Sequence, residues 1–302
     1  MYDIVIIGGG PAGMTAALYA LRGEKKVLIL EKLGLGGQIV TSNEVENYPA
    51  VKSISGEQFA DNLSEQIKSL GAECTFETAI EIGRNGKEFI VMTSEKSYPC
   101  KSVIIATGTH HRGLELEAEE KYTGKGVSYC ALCDGAFFKN KTVAVVGGGN
   151  TALHDAVYLA SVCKKVYLIH RRDELRGEKS LAKRLKEFDN VEFILNSSVT
   201  DIDGNGRVEK IEIVNNKTNT KTCVDVDGVF IAVGSQPQNE PFKTTVELDD
   251  YGYIVAGEDC RTNVEGIFAA GDCRGKSLRQ LTTAVSDGAA AAVGAMNFLD
   301  RI

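Results

Sequence analysis

The amino-acid sequence predicts an α/β protein built from two βαβ units, the second inserted into the first. Two observations carry this prediction. A pattern of apolar strand, glycine turn, helix and second strand occurs at residues 3–31 and again at residues 142–170. Each copy is followed by alternating segments typical of a small β-meander, and then by an apolar strand that ends in glycine, at 101–108 and 227–234. A supersecondary pattern repeated in this way indicates two related domains.

The first copy begins with an apolar strand that runs into Gly8-x-Gly10-x-x-Gly13 and then into a helix-like segment. Glycines let the backbone approach a pyrophosphate closely, and the helix N-terminus offers N–H groups and a positive dipole end. The copy closes at Glu31, whose carboxylate can accept a hydrogen bond from a ribose 2′-hydroxyl and therefore suits FAD or NAD. The residues expected to contact this nucleotide are Gly8, Gly10, Pro11, Ala12, Gly13, Glu31 and Lys32.

The second copy has the same order of elements and the same spacing. Its strand end, His170, lies 23 residues after Gly147, just as Glu31 lies 23 residues after Gly8. A lone GxGxxG pattern is weak evidence, but two copies in matching strand–turn–helix–strand context indicate two Rossmann-like dinucleotide-binding domains. The residues of the second turn expected to contact a nucleotide are Gly147, Gly149, Asn150, Thr151 and Ala152.

The two strand ends differ in charge. Where the first copy has a carboxylate, the second has the segment HRRDELR, residues 170–176. Clustered guanidinium groups can bind a ribose 2′-phosphate through charge-assisted hydrogen bonds, so the second domain is expected to bind NADPH. The residues assigned to this role are His170, Arg171, Arg172 and Arg176. The later basic residues, down to Lys186, fit a solvated helix face.

A final strand at 266–273 and a helix-like segment at 278–299 lack a glycine fingerprint and are expected to complete the first unit. The sequence therefore predicts an FAD-binding domain at 1–112 plus 244–302. An NADPH-binding domain is predicted at 113–243, and it carries the one local cysteine pair of the chain.

Composition narrows the range of partners. The chain has 302 residues, of which 43% are hydrophobic and 25% charged, together with 32 glycines, so it can form a packed core with many tight turns. Its net charge of −7 argues against a nucleic-acid partner. Because no stretch approaches 18 uninterrupted apolar residues, no association with a membrane is expected.

The cysteines and the N-terminal segment bear on the compartment. The segment MYDIVIIGGGPAG lacks the pattern of a signal peptide, and a cytoplasmic location is expected. In a reducing compartment dispersed cysteines are read as buried free thiols. Six cysteines fit this description: Cys74, Cys100, Cys163, Cys223, Cys260 and Cys273.

The remaining two, Cys130 and Cys133, form a CxxC motif followed directly by Asp134. Such a motif can be half of a zinc site, a structural staple or a redox disulfide. A zinc site needs a second ligand pair, and the sequence offers neither another CxxC nor a histidine pair with suitable spacing, so no metal is expected. Between two nucleotide sites, a catalytic disulfide completes an electron path from hydride donor through flavin to dithiol.

These motifs together resemble the low-molecular-weight, NADPH-dependent thioredoxin reductases, and the resemblance covers essentially the whole chain. Their order and spacing make it far more specific than any one motif. The matching segments are GGGPAG at 8–13, GGQI at 36–39, ENYP at 46–49, ATG at 106–108, GVSYCALCDG at 126–135, GGGNTA at 147–152, HRRDELR at 170–176, AAGD at 269–272 and RQ at 279–280.

The resemblance implies roles for individual residues. Asp272 would contact the ribitol–phosphate part of FAD, and Arg279 and Gln280 would lie near the isoalloxazine ring. Cys133 would face the flavin, Cys130 would attack the protein substrate, and Asp134 would be the acid/base. The further positions expected along FAD are Gly36, Gly37, Gln38, Asn47, Thr107, Gly108, Gly271 and Leu281.

The family also implies a reaction, partners and a motion. Electrons would pass from NADPH through FAD and the cysteine pair to thioredoxin, in a homodimer whose inserted domain rotates between two arrangements. The same flavin must meet the nicotinamide and then the disulfide, and the dithiol must afterwards meet a protein, so the connections near 113 and 243 are natural hinges.

The sequence departs from the family pattern at several positions. Ala131-Leu132 stands between the cysteines where relatives commonly have Ala-Thr, and His154-Asp155 stands where they usually have two glutamates. His110 and His111 are interpreted as linker residues. Alternatives to an NADPH-dependent enzyme are a reductase fed by ferredoxin, a reductase of another thioredoxin-like protein, and a flavin redox sensor that does not turn over.

Overall fold

The computed structural model of the chain describes residues 1–42 and 44–302. Its α-helices are α1 (Pro11–Arg22), α2 (Gly56–Ser69), α3 (Glu117–Tyr122), α4 (Ala131–Asp134), α5 (Asn150–Val162), α6 (Lys179–Leu185) and α7 (Leu281–Leu299). Its strands are β1 (Tyr2–Ile7), β2 (Val27–Leu30), β3 (Glu73–Thr75), β4 (Ala79–Asn85), β5 (Glu88–Thr93), β6 (Ser97–Ile105), β7 (Thr109–His111), β8 (Val127–Ser128), β9 (Thr142–Val146), β10 (Lys165–Ile169), β11 (Val191–Ile194), β12 (Ser197–Asp203), β13 (Lys210–Asn215), β14 (Lys221–Asp225), β15 (Gly228–Ile231), β16 (Ser235–Pro237) and β17 (Ile267–Ala269).

The chain divides into two compact units. The first unit comprises Met1–His110 and Gln236–Ile302, and the second unit comprises His111–Ser235. The sequence put the second boundary later, at 243/244. Residues 236–243 fall in the first unit because the buried Phe242 packs into its core and the buried Asn239 bonds to its strand ends.

The first unit is built on one sheet of mixed direction. Its strands run in the order β3-β2-β1-β6-β5-β4, and β17 pairs with β6 in parallel. Strands β3, β2, β1 and β6 pair with one another in parallel, whereas β6 pairs antiparallel with β5, and β5 with β4, as a meander. The tail of the chain thus returns to the first sheet, as the sequence predicts.

Two helices cover one face of this sheet close to the glycine turn. The buried alanines of α1 and α7 form a common core with β1, β2 and β6. Small residues permit the close approach of the helices: a Cβ at Gly288 of α7 would lie 2.2 Å from the carbonyl oxygen of Ala12. The last helix of the chain, α7, is therefore packed against the start of α1, next to the first glycine turn.

The second unit repeats the plan on a smaller scale. Its parallel sheet has the order β11-β10-β9-β15-β8, and β12, β13 and β14 form a separate antiparallel meander. Helix α5 packs its buried alanines and leucines against β9 and β10. The predicted fold class, two Rossmann-like units each with a small meander and the second inserted into the first, is confirmed.

The dispersed cysteines largely follow the expectation. Cys100, Cys163, Cys260 and Cys273 are buried free thiols, and Cys74 is half-buried. Cys223 contradicts the prediction: it is exposed, because it lies on β14, the outer strand of the three-stranded meander. None of the helices formed by residues 1–42 and 44–302 is long and apolar enough to cross a membrane.

Candidate active site

Cys130 and Cys133 are joined by a disulfide within the second unit. Their Cα atoms are 5.3 Å apart, since α4 brings position 133 back over the residue that precedes the helix. The backbone N–H of Cys133 donates to Sγ of Cys130 at 3.2 Å, while Cys133 itself is exposed and Cys130 half-buried. A disulfide leaves no thiolate for zinc, so the structure argues against the zinc interpretation of the motif.

Asp134 ends α4 and is half-buried beside the disulfide. Its Oδ2 accepts a hydrogen bond of 2.6 Å from the hydroxyl of Ser128, the last residue of β8. Burial raises the pKa of the Asp134 carboxyl above its usual value, and the bond from Ser128 offsets part of that rise. A carboxyl that keeps its proton to higher pH than an exposed aspartate is suited to acid/base work.

Tyr129 directly precedes the disulfide and is fixed from two sides. Its hydroxyl donates to Oε2 of the buried Glu119 at 3.1 Å, and its ring stacks on His111 at 5.2 Å between centroids. Burial and the Glu119 carboxylate raise the pKa of Tyr129 to about 12, so the phenol stays protonated at neutral pH. This bracing of the residue before Cys130 was not predicted, since Glu119 lies in a segment with no recognisable motif.

The first glycine turn lies between β1 and α1, as predicted, with Pro11 in the first turn of the helix. The N–H of Gly9 donates to Oε2 of Glu31 at 2.7 Å, so the strand-end carboxylate braces the turn. A Cβ at Gly10 would find its nearest neighbour only at 3.9 Å, which leaves the open space that a pyrophosphate requires. Gly8 and Gly13 are packed instead: a Cβ at Gly8 would lie 2.3 Å from the carbonyl oxygen of Ala106.

Other predicted FAD residues gather around this turn. Gly36 donates its N–H to the carbonyl of Gly9 at 2.8 Å. The amide of Asn47 donates to the side-chain oxygen of Gln280 at 3.1 Å, over a sequence separation of 233 residues. Gln38 donates to the carbonyl of Thr109, next to Gly108. The structure therefore joins residues 36–38 to the first glycine turn and to Thr109, and joins Asn47 to Gln280, while Lys32 is exposed and Leu281 begins α7.

Asp272 lies in the turn after β17, where a 3-10 helix spans Gly271–Cys273. Its Oδ1 is buried without a hydrogen-bond partner among residues 1–42 and 44–302. Burial raises the pKa of this carboxyl. A buried polar atom without a partner is costly, and a ligand hydroxyl would satisfy it. The orphaned oxygen and the open face at Gly10 both fit a flavin nucleotide.

A buried ionic cluster holds this turn, and no motif in the sequence predicted it. Asp287 of α7 accepts from the N–H of Gly271 at 2.9 Å, from Nζ of Lys276 at 2.8 Å, and from Arg274 through both of its oxygens at 2.8 Å. The relative exposure of Arg274 is 1% and that of Asp287 is 5%. The cluster fixes the backbone one residue before Asp272.

Asn239 fixes the other side of the same turn. It is fully buried; its amide donates to the carbonyl of Cys273 at 2.7 Å and to that of Gly252 at 2.9 Å, and its oxygen accepts from Thr107 at 2.9 Å. Thr107, which the sequence assigned to FAD, is thus tied to the Asp272 turn. Arg279 completes this neighbourhood, with its guanidinium 4.0 Å from the ring centroid of Tyr253.

The second glycine turn lies between β9 and α5, with Asn150, Thr151 and Ala152 in the first turn of the helix. The HRRDELR segment folds back onto it. The N–H of Arg176 donates to the carbonyl of Gly148 at 2.6 Å, and the ring of His170 lies against Gly148, where a Cβ would meet Nδ1 at 2.3 Å. A Cβ at Gly149 would meet nothing within 4 Å, so this turn also has an open face.

The side chains of the predicted phosphate site differ in exposure. Arg171, Arg172 and Arg176 are exposed, and Asp173 between them is engaged by Lys217 at 3.1 Å. His170 is buried, and burial together with the three arginines lowers its pKa. The segment therefore carries three exposed arginines and is joined to the second glycine turn through the backbone of Arg176.

Comparison with known proteins agrees with this geometry. Residues 2–288 match the family model described as pyridine nucleotide-disulphide oxidoreductase. The chain is 44% identical to a thioredoxin reductase of Listeria innocua, over all of this chain and 95% of the relative. It is 41% identical to that of Bacillus subtilis, over all of this chain and 96% of the relative.

Solved structures give the same result. The thioredoxin reductase of Streptococcus pyogenes is 44% identical and matches with a TM-score of 0.96, over 100% of this chain and 99% of that one. That of Lactococcus lactis, in the FR conformation, is 41% identical with a TM-score of 0.69, and both chains are covered completely. The chain belongs to the pyridine nucleotide-disulphide oxidoreductase family and, within it, to the thioredoxin reductases.

Proposed function

We propose that the protein is a flavoenzyme that passes electrons from NADPH through FAD and the Cys130–Cys133 disulfide to thioredoxin. The observation that carries this proposal is the disulfide itself, backed by the half-buried Asp134. It lies in the same unit as the arginine-bearing glycine turn, on a chain whose other unit carries the turn braced by Glu31.

FAD is the nucleotide proposed for the first unit. Gly10 and the N-terminus of α1 would hold the pyrophosphate, and Glu31 the adenosine ribose. Asp272, with its orphaned Oδ1, would accept from a ribitol hydroxyl. When bound, FAD takes up two electrons from a nicotinamide and can pass them to a disulfide.

NADPH is the nucleotide proposed for the second unit. Gly149 and the N-terminus of α5 are suited to its pyrophosphate. The exposed guanidinium groups of Arg171, Arg172 and Arg176 are suited to the 2′-phosphate, since guanidinium is never deprotonated and can bind a phosphate bidentately.

The cysteines would then carry out thiol–disulfide exchange. In the reduced enzyme, Cys130 as a thiolate attacks one sulfur of the thioredoxin disulfide, and the other sulfur leaves as a thiolate that takes up a proton. Cys133 then attacks the mixed disulfide, which re-forms the Cys130–Cys133 bond and releases the second thioredoxin thiol. The N–H of Cys133, 3.2 Å from Sγ of Cys130, would stabilise the attacking thiolate.

Asp134 would hold and return the protons of this exchange. Each cycle produces two thiols in the substrate, so protons must reach two leaving thiolates. A carboxyl whose burial raises its pKa is a better proton donor near neutral pH than an exposed aspartate.

A rotation of the second unit between steps is part of the proposal. The reaction needs three encounters, of flavin with nicotinamide, of flavin with disulfide, and of dithiol with a bulky protein. The chain passes between the units twice, at 110/111 and 235/236. Changes of backbone angle at these two short connections would be enough to let the second unit rotate. A crosslink that joins the two units should abolish thioredoxin reduction, and unimpaired turnover in the linked protein would disprove the rotation.

The proposal extends to the protein substrate, the oligomeric state and the cellular location. Thioredoxin is proposed as the substrate because the relatives in Listeria innocua and Bacillus subtilis bear that activity in their names. A homodimer is proposed from the resemblance to this family. A cytoplasmic location suits the free buried thiols, which a reducing compartment preserves.

The test is anaerobic reduction of the flavin followed by addition of thioredoxin. NADPH should bleach the flavin absorbance, NADH should do so poorly, and oxidised thioredoxin should restore it. Cys130→Ser should leave a thiol that still perturbs the flavin spectrum, whereas Cys133→Ser should remove that perturbation. Bleaching by reduced ferredoxin but not by NADPH would disprove the assigned electron donor, and a bleached flavin that thioredoxin fails to reoxidise would disprove the assigned acceptor.

A further inference from the structure

Ser128 lies at the centre of the contacts that surround the disulfide. It is buried at the end of β8, two residues before Cys130 and six before Asp134. Its Oγ lies 2.6 Å from Oδ2 of Asp134, 3.1 Å from the backbone nitrogen of Cys130 and 3.3 Å from the carbonyl oxygen of Cys130. The hydroxyl thus touches both the acid/base carboxyl and the backbone of the attacking cysteine.

The bonding capacity of a hydroxyl explains why these three contacts coexist. A serine Oγ donates one hydrogen bond and accepts two. When Asp134 is ionised, Ser128 donates to the carboxylate and accepts from the N–H of Cys130. When Asp134 is protonated, its O–H donates to Ser128, and the serine hydrogen turns to the carbonyl oxygen of Cys130. The bond from Cys130 N–H is kept in both states.

We propose that Ser128 is a positioning residue whose hydroxyl reorients as Asp134 gains and loses its proton. In neither state does the reorientation leave a hydrogen of this group unpaired, and the carboxyl stays at one position through the exchange. The inference rests on the proposed function only in assigning a proton-transfer role to Asp134; the contacts themselves do not depend on it.

Other ionisable groups lie near α4, and their titrations must be distinguished from that of Asp134. Helix α5 packs against it, because a Cβ at Gly135 would lie 2.6 Å from the ring of Tyr158. The other ionisable side chains of α5 near its start are His154 and Asp155. Burial raises the pKa of Asp155 to about 7, so its titration falls in the working range. The connection between β8 and α4 adds Tyr129, whose hydroxyl donates to Glu119.

The experiment compares Ser128→Ala with Ser128→Thr, both in an Asp155→Asn background that removes the overlapping titration. The pKa of Asp134 is measured directly by carbon-13 NMR of labelled aspartate carboxyls, with Asp134→Asn to assign the signal. Loss of the hydroxyl removes the stronger bond to the carboxylate and the weaker bond from the protonated carboxyl, so the pKa of Asp134 should rise by about 1 unit. Threonine keeps the hydroxyl and should restore the pKa of the parent.

A second readout follows the rate of thioredoxin reduction against pH. The limb that reports Asp134 should move to higher pH in Ser128→Ala by the same amount and return in Ser128→Thr. An unchanged carboxyl pKa in Ser128→Ala, or equal shifts in alanine and threonine variants that fold alike by circular dichroism, would overturn the inference. Failure of the parent protein to reduce thioredoxin would overturn the proposed function alone, since the NMR titration does not need turnover.

Discussion

Arg274 and Asp287 form a bidentate ion pair inside the first unit, with Nε and Nη2 of the arginine each 2.8 Å from a carboxylate oxygen. Lys276 adds a second cation at 2.8 Å. Two buried cations thus depend on one buried carboxylate, and that carboxylate also holds the N–H of Gly271. Removing the carboxylate would take this partner from both cations and leave Arg274 with the exposed Glu258 at 3.5 Å.

Asp287→Ala is therefore expected to lower the free energy of unfolding by about 3–5 kcal/mol, the usual cost of breaking a buried ion pair from one side. Urea denaturation followed by circular dichroism measures this value. Asp300→Asn is the matched control, because Asp300 pairs with Lys25 at an exposed site and should change stability by less than about 1 kcal/mol. Equal effects of the two variants would contradict the importance of the buried cluster.

The same cluster predicts a loss of stability in acid. Burial alone would raise the pKa of Asp287, but the bonds from Arg274 and Lys276 outweigh it and hold the pKa below the usual 3.8. A carboxyl with a lowered folded-state pKa stabilises the fold above its unfolded pKa, and this stability is lost as the pH falls through the folded value. In the unsubstituted protein, the free energy of unfolding should decrease as the pH is lowered from 5, with the contribution of Asp287 lost below pH 3.8. In Asp287→Asn this part of the fall should be absent.

Asp134→Asn should slow thiol–disulfide exchange by about 10²–10⁴-fold, the usual contribution of a general acid or base. Reduction of the flavin by NADPH should be nearly unchanged, because the role proposed for Asp134 lies in the exchange step. Stopped-flow absorbance separates the two phases. Slowing of both phases to the same degree would show that the substitution acts on the fold of the unit rather than on proton transfer.

Replacing Arg171, Arg172 or Arg176 by glutamine should raise the KM for NADPH by about 10–100-fold each, as expected for loss of a charge-assisted hydrogen bond to phosphate. The KM for NADH should stay within about twofold, since NADH lacks the 2′-phosphate. Lys183→Gln on α6 is the control, because this exposed lysine belongs to the basic run read as a solvated face. An equal rise for NADH and NADPH would contradict the assignment.

Local patterns were readable from the sequence, and partners made by the tertiary fold were not. Both glycine turns form where they were predicted, because strand, turn and helix signals act over few residues. Asn239 bonds to Thr107 across 132 residues and to Cys273 across 34, and no periodicity marks such a residue. Asp287 and Glu119 were missed for the same reason: each is an ordinary acidic residue in its own segment and becomes special only through burial.

The CxxC motif illustrates the limit within a single stretch. The sequence predicted a redox pair at Cys130 and Cys133 from their spacing and position, and the family resemblance implied the acid/base role of Asp134. Ser128 lies in the same segment, residues 126–135, but nothing in a serine two residues before a cysteine predicts that its hydroxyl would reach the aspartate. That contact needs β8 to end and α4 to turn back within four residues, which is a property of the backbone path.

The residue at the end of the second strand has two tasks in each unit. Glu31 accepts a hydrogen bond from the N–H of Gly9, and His170 packs against the corresponding Gly148. Each therefore supports the backbone of its own glycine turn and is also a candidate to bind the ribose. These two roles constrain any attempt to change the coenzyme specificity by substituting Glu31 or His170. A substitute at either position has to fill the volume beside the glycine before its charge can matter, and the exposed arginines, which carry no such support, are the safer places to begin.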